Sequence, residues 1–132
     1  MKQAAALAGV IVLASCAPVD EPRQSLETIA AVEPAVKVTG EAKSCLSASS
    51  IQNTSVRGDG VIDFTVTGGK VYRNYLASGC SVLRKNDSIT YEVKGGTLCS
   101  GEIVYELDNY ASGFQRGPAC GLGDFIPVEY AD

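Results

Sequence analysis

The stretch VIDFTVTGGKVYRNYLASGC, residues 61–80, constrains this chain more than any other. Ile62, Phe64 and Val66 alternate with Asp63, Thr65 and Thr67, the period of a strand with one buried face. Gly68 and Gly69 then provide backbone free to take positive φ, and residues 71–76 resume in strand-forming types, so a β-hairpin is expected. On this reading Asp63 points away from the core into solvent.

The rest of the chain repeats the pattern. Short runs at residues 54–57, 88–93, 98–99 with 102–107, split by Ser100-Gly101 as a bulge or tight corner, and 125–130 read as further strands, separated by turns such as Gly58-Asp59-Gly60, Arg84-Lys85-Asn86-Asp87 and Lys94-Gly95-Gly96-Thr97. Residues 109–118 read as loop, and Pro127 marks the last run as an edge strand. About six short strands joined by glycine turns define an all-β fold, a small antiparallel barrel or sandwich.

Two features of the amino-terminal end say where such a domain would work. Met1-Lys2-Gln3 is a short basic start, and an apolar run follows, too short for a membrane-spanning helix of about 20 residues but suited to the core of a signal peptide. It ends in Leu13-Ala14-Ser15-Cys16, which resembles the lipobox of bacterial lipoproteins. That resemblance implies a signal peptide over residues 1–15, diacylglyceryl attachment at Cys16, cleavage before it and acylation of the new amino terminus. More than one chain, at about 0.8 kcal/mol per buried methylene, makes a stable anchor. Ala17 and Pro18 follow, and the lack of an Asp there favours the outer over the inner membrane, with the domain in the periplasm.

Residues 16–44 are rich in Ala, Pro and Glu, interrupted by Pro18, Pro22 and Pro34, and read as a flexible tether with an end-to-end distance on the order of 30 Å. Leu26, Ile29, Ala30 and Val32 offer a lesser alternative of one or two amphipathic helical turns. The domain proper is expected over residues 45–132.

With Cys16 committed to lipid, Cys45, Cys80, Cys99 and Cys120 remain, an even count that in an exported domain reads as two disulfides. Three connectivities are possible. Sequential closure of a strand meander favours Cys45–Cys80 and Cys99–Cys120. No C-x-x-C is present and the chain has no histidine, so a redox dithiol and a zinc site are not indicated.

The missing histidine also excludes Ser-His-Asp and Cys-His nucleophilic sites. No metal or other cofactor is expected. A net charge of -4 with no basic run argues against nucleic acid as a partner. Carboxylates that might pair as acid and base are Asp59, Asp63, Glu92, Glu102, Asp108 and Asp124, but their separations are not legible from the sequence. Glu102, after Gly101, also suits a bond to turn amides. Arg73 and Tyr75 share one strand face and, with Glu102, form the candidate binding patch, since tyrosine and arginine are enriched at interface hot spots. Cys120-Gly121-Leu122-Gly123-Asp124 lacks the order of a phosphate-binding loop and reads as a tight turn.

The order Cys45-Leu46, V-I-D-F, G-G-K-V-Y-R-N-Y-L, Cys80-S-V-L, L-C-S-G-E-I-V and A-C-G-L-G-D-F-I-P-V resembles a family of small proteobacterial lipoproteins known only as a domain of unknown function. The resemblance covers residues 45–128 with all four cysteines. Glu102 departs from the Asp that the family pattern carries there. The resemblance implies export and a domain boundary, and no chemistry.

The functional expectation is a bacterial envelope lipoprotein carrying a non-catalytic binding or structural module. Its partners would be the membrane, through the anchor, and a periplasmic protein or envelope polymer. A carboxylate-based envelope enzyme and a hydrolase inhibitor are the alternatives.

Overall fold

The computed structural model describes Gly9 and residues 26–58, 60–76, 80, 83–110 and 113–131, with residues 108–110 and 113–116 described as backbone only. Cys16, the segment expected as signal peptide apart from Gly9, Asp59 and the side chain of Asp108 lie outside the described residues.

The chain is all-β apart from one short helix and one 3-10 turn among the described residues. Helix α1 is Leu26–Ala31. The strands are β1 (Val36–Val38), β2 (Cys45–Ser47), β3 (Ile51–Gly58), β4 (Val61–Val66), β5 (Val71–Tyr75), β6 (Ile89–Tyr91), β7 (Thr97–Cys99), β8 (Ile103–Tyr110), β9 (Gly113–Gly121) and β10 (Phe125–Tyr130). They form three antiparallel sheets: a five-stranded sheet in the order β1-β10-β5-β4-β3, a β2-β7 pair, and a three-stranded sheet β6-β8-β9. Among the described residues the sheets do not close into a barrel.

The expected central hairpin is β4-β5. Val66 and Lys70 close a three-residue loop in which Gly68 and Gly69 hold φ of 90° and 83°, values that a side chain would make costly. Ile62, Phe64 and Val66 face the main core, where they meet Tyr72, Leu98 and Phe125. Phe64 and Phe125 pack edge to face at 5.3 Å between ring centres.

The other face of the large sheet is also covered, which the alternation pattern did not reveal. Ile29 of α1 and Val36 of β1 pack on Val71, Ile126 and Val128 to form a second core. Residues 26–43, expected as tether, are therefore part of the folded body. Backbone bonds from the Thr39 and Lys43 amides to the Pro127 and Phe125 carbonyls tie this segment along β10.

Two local expectations are corrected by the strand pairing, and residues 109–110 of the expected loop belong to β8, which forms a hairpin with β9. Residues 113–118 belong to β9, whose Pro118 is tolerated because β9 is the outer strand of its sheet. Pro127 lies in an interior strand, not an edge, since β10 runs between β1 and β5. Its carbonyl faces the Thr39 amide just past the end of β1, so the donor it lacks falls where the ladder stops.

The bridges are Cys45–Cys99 and Cys80–Cys120, not the sequential pairs Cys45–Cys80 and Cys99–Cys120. The cause is topological. β2 pairs with β7 and not with the central hairpin, so Cys45 stands directly opposite Cys99 with 4.0 Å between Cα atoms. Cys80, beyond β5, reaches Cys120 near the end of β9, and both are buried in the main core.

Candidate functional site

Among the described residues, a dense buried polar arrangement lies between the large sheet and α1. Asp63 on β4 and Arg73 on β5 are cross-strand partners. They are 1% and 0% exposed, which reverses the expectation of a solvated Asp63 and removes Arg73 from any accessible patch.

Every N–H of the Arg73 guanidinium is used. Nε donates to Asp63 Oδ1 at 2.8 Å and Nη2 to Asp63 Oδ2 at 3.0 Å, a two-bond fork. The remaining donors reach main-chain carbonyls of the amino-terminal segment: Nη1 to Ile29 and Val32 at 3.0 and 2.8 Å, Nη2 to Pro34 at 2.8 Å. Helices leave their last carbonyls without partners, and a cation there is favoured by the helix dipole. Arg73 thus closes the end of α1 and fastens it to the sheet.

Asp63 Oδ2 also accepts from Arg57 Nε at 3.0 Å and from the Tyr130 hydroxyl at 3.1 Å, and Arg57 Nη2 donates to that hydroxyl at 2.9 Å. Burial raises the Tyr130 phenol above its ordinary range, and the adjacent Asp63 charge adds to the shift. Burial lowers Arg57, but its bonds to Tyr130 and Asp63 outweigh that and leave it raised. No described buried side-chain nitrogen or oxygen lacks a partner. A carboxylate with all its neighbours engaged in this way is a structural clamp rather than a proton-transfer group.

The other residues of the expected patch lie elsewhere. Tyr75 is half-buried against the second core. Glu102 sits in the turn before β8, where its carboxylate accepts the Cys99 amide, the turn bond anticipated from its place after Gly101. Arg73, Tyr75 and Glu102 therefore do not come together as one surface, and Asp63 and Glu102 are not an acid–base pair.

Asn74, fully buried, holds the glycine turn before β10 through both ends of its amide. Nδ2 donates to the Gly123 carbonyl at 2.7 Å and Oδ1 accepts the Gly123 N–H at 2.8 Å. A Cβ at Gly123 would stand 2.2 Å from the Tyr75 carbonyl oxygen, so only glycine fits this approach. On the main-core face, the Lys70 and Lys43 ammonium groups lie 5.2 and 5.5 Å from the centre of the Tyr72 ring. Burial alone would raise the Tyr72 phenol, but the two cations outweigh it and lower it.

Three clefts open on the described surface. One, of about 270 Å3, brings Glu92 and Glu102 together with Lys94 and Tyr105, although the Glu102 carboxylate is engaged by the Cys99 amide. A second, of about 380 Å3, lies between Thr39, the Gly68-Gly69 loop and Tyr130. The third, of about 390 Å3, runs between β3 and residues 86–89. None is the apolar, convergent pocket usual for a small-molecule site. Among the described residues no three Cys, Asp or Glu side chains are grouped to hold a metal ion.

Asp63 and Arg73 were findable in the sequence. They are equidistant from the Thr67-Gly68-Gly69 loop, so opposite charges face each other across the hairpin. The helical turns offered as the lesser alternative at Leu26 to Val32 do form, as α1, but nothing in the sequence placed them on that face of the sheet. Comparison with family models, curated proteins and solved structures finds no match for the chain.

Proposed function

We propose that this chain is a lipid-anchored protein of the bacterial envelope, fixed at Cys16 in the outer membrane, whose β domain is a non-catalytic binding module in the periplasm. The small lipoprotein family of unknown function that the sequence resembles is the class proposed for it. The observation that carries the reading is the cysteine pairing. Cys45, Cys80, Cys99 and Cys120 are used in two bridges, which suits an oxidising compartment, and Cys16 is left as the odd thiol at the end of a lipobox.

Binding is favoured over catalysis by the state of the carboxylates. Asp63 is bound by Arg73, Arg57 and Tyr130, and Glu102 by a turn amide, so neither is left as a free acid or base. Leu26, the first residue of α1, is ten residue steps from Cys16, a span of at most roughly 35 Å. On this reading the domain works close to the membrane surface.

Mass analysis of the chain purified from membranes tests the anchor. The expected product begins at Cys16 and carries diacylglyceryl and amide-linked acyl groups, and Cys16→Ser moves the protein to the soluble fraction. An unprocessed chain with an unmodified Cys16 would refute the proposal.

A further inference from the structure

The cleft beside β3 runs between the edge of that strand and residues 86–89, and the ladder pattern tells which backbone groups each side turns toward it. Along β4, Gly60 and Val66 exchange backbone bonds with the β5 side, through Leu76 N to Gly60 O and Val66 N to Lys70 O. Even-numbered residues of β4 therefore face β5 and odd-numbered ones face β3, as the Thr67 N to Ser50 O bond confirms. Asp63 and Thr65 stand opposite Ser55 and Asn53. It follows that Ser55 and Asn53 turn their N–H and C=O groups to β4, while Thr54 and Val56 turn theirs outward.

The facing wall obeys the same rule. Leu107 N bonds Ser88 O, which makes Ser88 and Thr90 the residues of this wall that bond to β8 and leaves the N–H and C=O of Ile89 pointing away from β8. The walls touch at one end, where Asn86 N donates to Val56 O at 3.0 Å. Beyond that contact no backbone bond joins them among the described residues, and the cleft of about 390 Å3 opens between Thr54 and Ile89.

We infer that this slot takes up an extended polypeptide segment of a partner protein, added as a strand to the edge of β3. The inference rests on the binding-module reading and names its surface. Main-chain donors and acceptors on both walls fit a backbone, which alternates the two, better than a sugar or an ion. Four wall residues, Asn53 to Val56, span roughly 13 Å, so about four residues of the incomer would be gripped. The only charged wall residue is Asp87, and its carboxylate already accepts the Arg84 N–H at 2.7 Å. The walls thus offer no free charge for the incomer to pair with, and an uncharged segment of strand-forming residues fits the slot.

The contrast with the opposite edge supports this. β1 is three residues long and exposes Lys37, features that discourage strand addition. Residues 51–56 of β3 carry neither lysine nor proline. A second copy of the chain would bring its own sheet and not fit between the walls.

The test uses the full chain purified from membranes in detergent, with a panel of capped heptapeptides alternating Val or Thr with Ser or Asn. Thr54→Pro removes an outward N–H and leaves the β3-β4 ladder intact. Asn53→Lys, at an exposed side chain on the mouth of the slot, adds a guarding charge without touching the ladder and serves should the proline variant fail to fold. The expected result is slowed hydrogen exchange at Thr54, Val56 and Ile89 on peptide binding, and a loss of roughly tenfold or more in affinity in either variant, about 1.4 kcal/mol. Unchanged affinity in Asn53→Lys, protection elsewhere, no binding by any peptide, or self-association through β3 would overturn the inference. Processing at Cys16 is read separately by mass on the same sample, so failure of the anchor and failure of the slot are distinguishable.

Discussion

Arg73 binds the Asp63 carboxylate through two nitrogens while its other donors hold the carbonyls of Ile29, Val32 and Pro34, so one ion pair joins two neighbouring strands to the segment that precedes them. Removing one member of a buried pair strands the other, at a cost of about 3–5 kcal/mol. Asp63→Asn and Arg73→Met should each lower unfolding free energy by that order in urea titration. The double variant Asp63→Asn/Arg73→Met should lose less than the sum of the two single losses but still be destabilised, because the three carbonyls remain without a donor. Additive losses in the cycle would show that the pair is not coupled.

Each disulfide closes a long loop, with separations of 54 and 40 residues. In the chain-entropy model either contributes about 4 kcal/mol, comparable with the whole stability of a small domain. Non-reducing peptide mapping should recover Cys45 linked to Cys99 and Cys80 linked to Cys120. Serine replacement of either pair should leave the chain largely unfolded at 37 °C by circular dichroism.

Gly123→Ala places a methyl group against the Tyr75 carbonyl, and the turn must move to accept it. A loss of about 1–3 kcal/mol is expected. Asn74→Leu removes both bonds to Gly123 and leaves its amide and carbonyl unmatched, for a loss of about 2 kcal/mol. Thermal melts read both, and a melting temperature unchanged in Gly123→Ala would contradict the close approach.

The Tyr130 phenol is raised above its ordinary value of 10.0 by burial and by Asp63. The native state thus holds this proton more firmly than the unfolded chain. Its contribution is in place below pH 10 and is lost as pH climbs through the raised value. Burial raises the Tyr91 phenol as well, so phenolate absorbance should show a late-titrating component that Tyr130→Phe reduces and that disappears only when Tyr91 is also replaced by Phe; loss of an early component in Tyr130→Phe would reverse the assignment.

How much of this was legible follows from which contacts are local. The β4-β5 hairpin lies within one continuous stretch, and both its alternation and its glycine loop were readable. The pairings of β2 with β7 and of β1 with β10 join residues far apart, and no local pattern marks them. The disulfide pairing failed for that reason, because a meander assumption replaced the actual neighbours. Asp63 was misplaced because alternation distinguishes two faces without saying that both are covered. The six residues of α1 and three of β1, separated by Pro34, were too short and too weakly periodic to announce that they cover the second face.

The central claim is that residues 26–44 belong to the folded body and are held there through Arg73. Amide hydrogen exchange of the full chain tests it most directly. Thr39 and Lys43, bonded to the Pro127 and Phe125 carbonyls, should exchange as slowly as residues of β4 and should speed up selectively in Arg73→Met. Exchange of these two amides at the rate of an unstructured peptide would contradict the account.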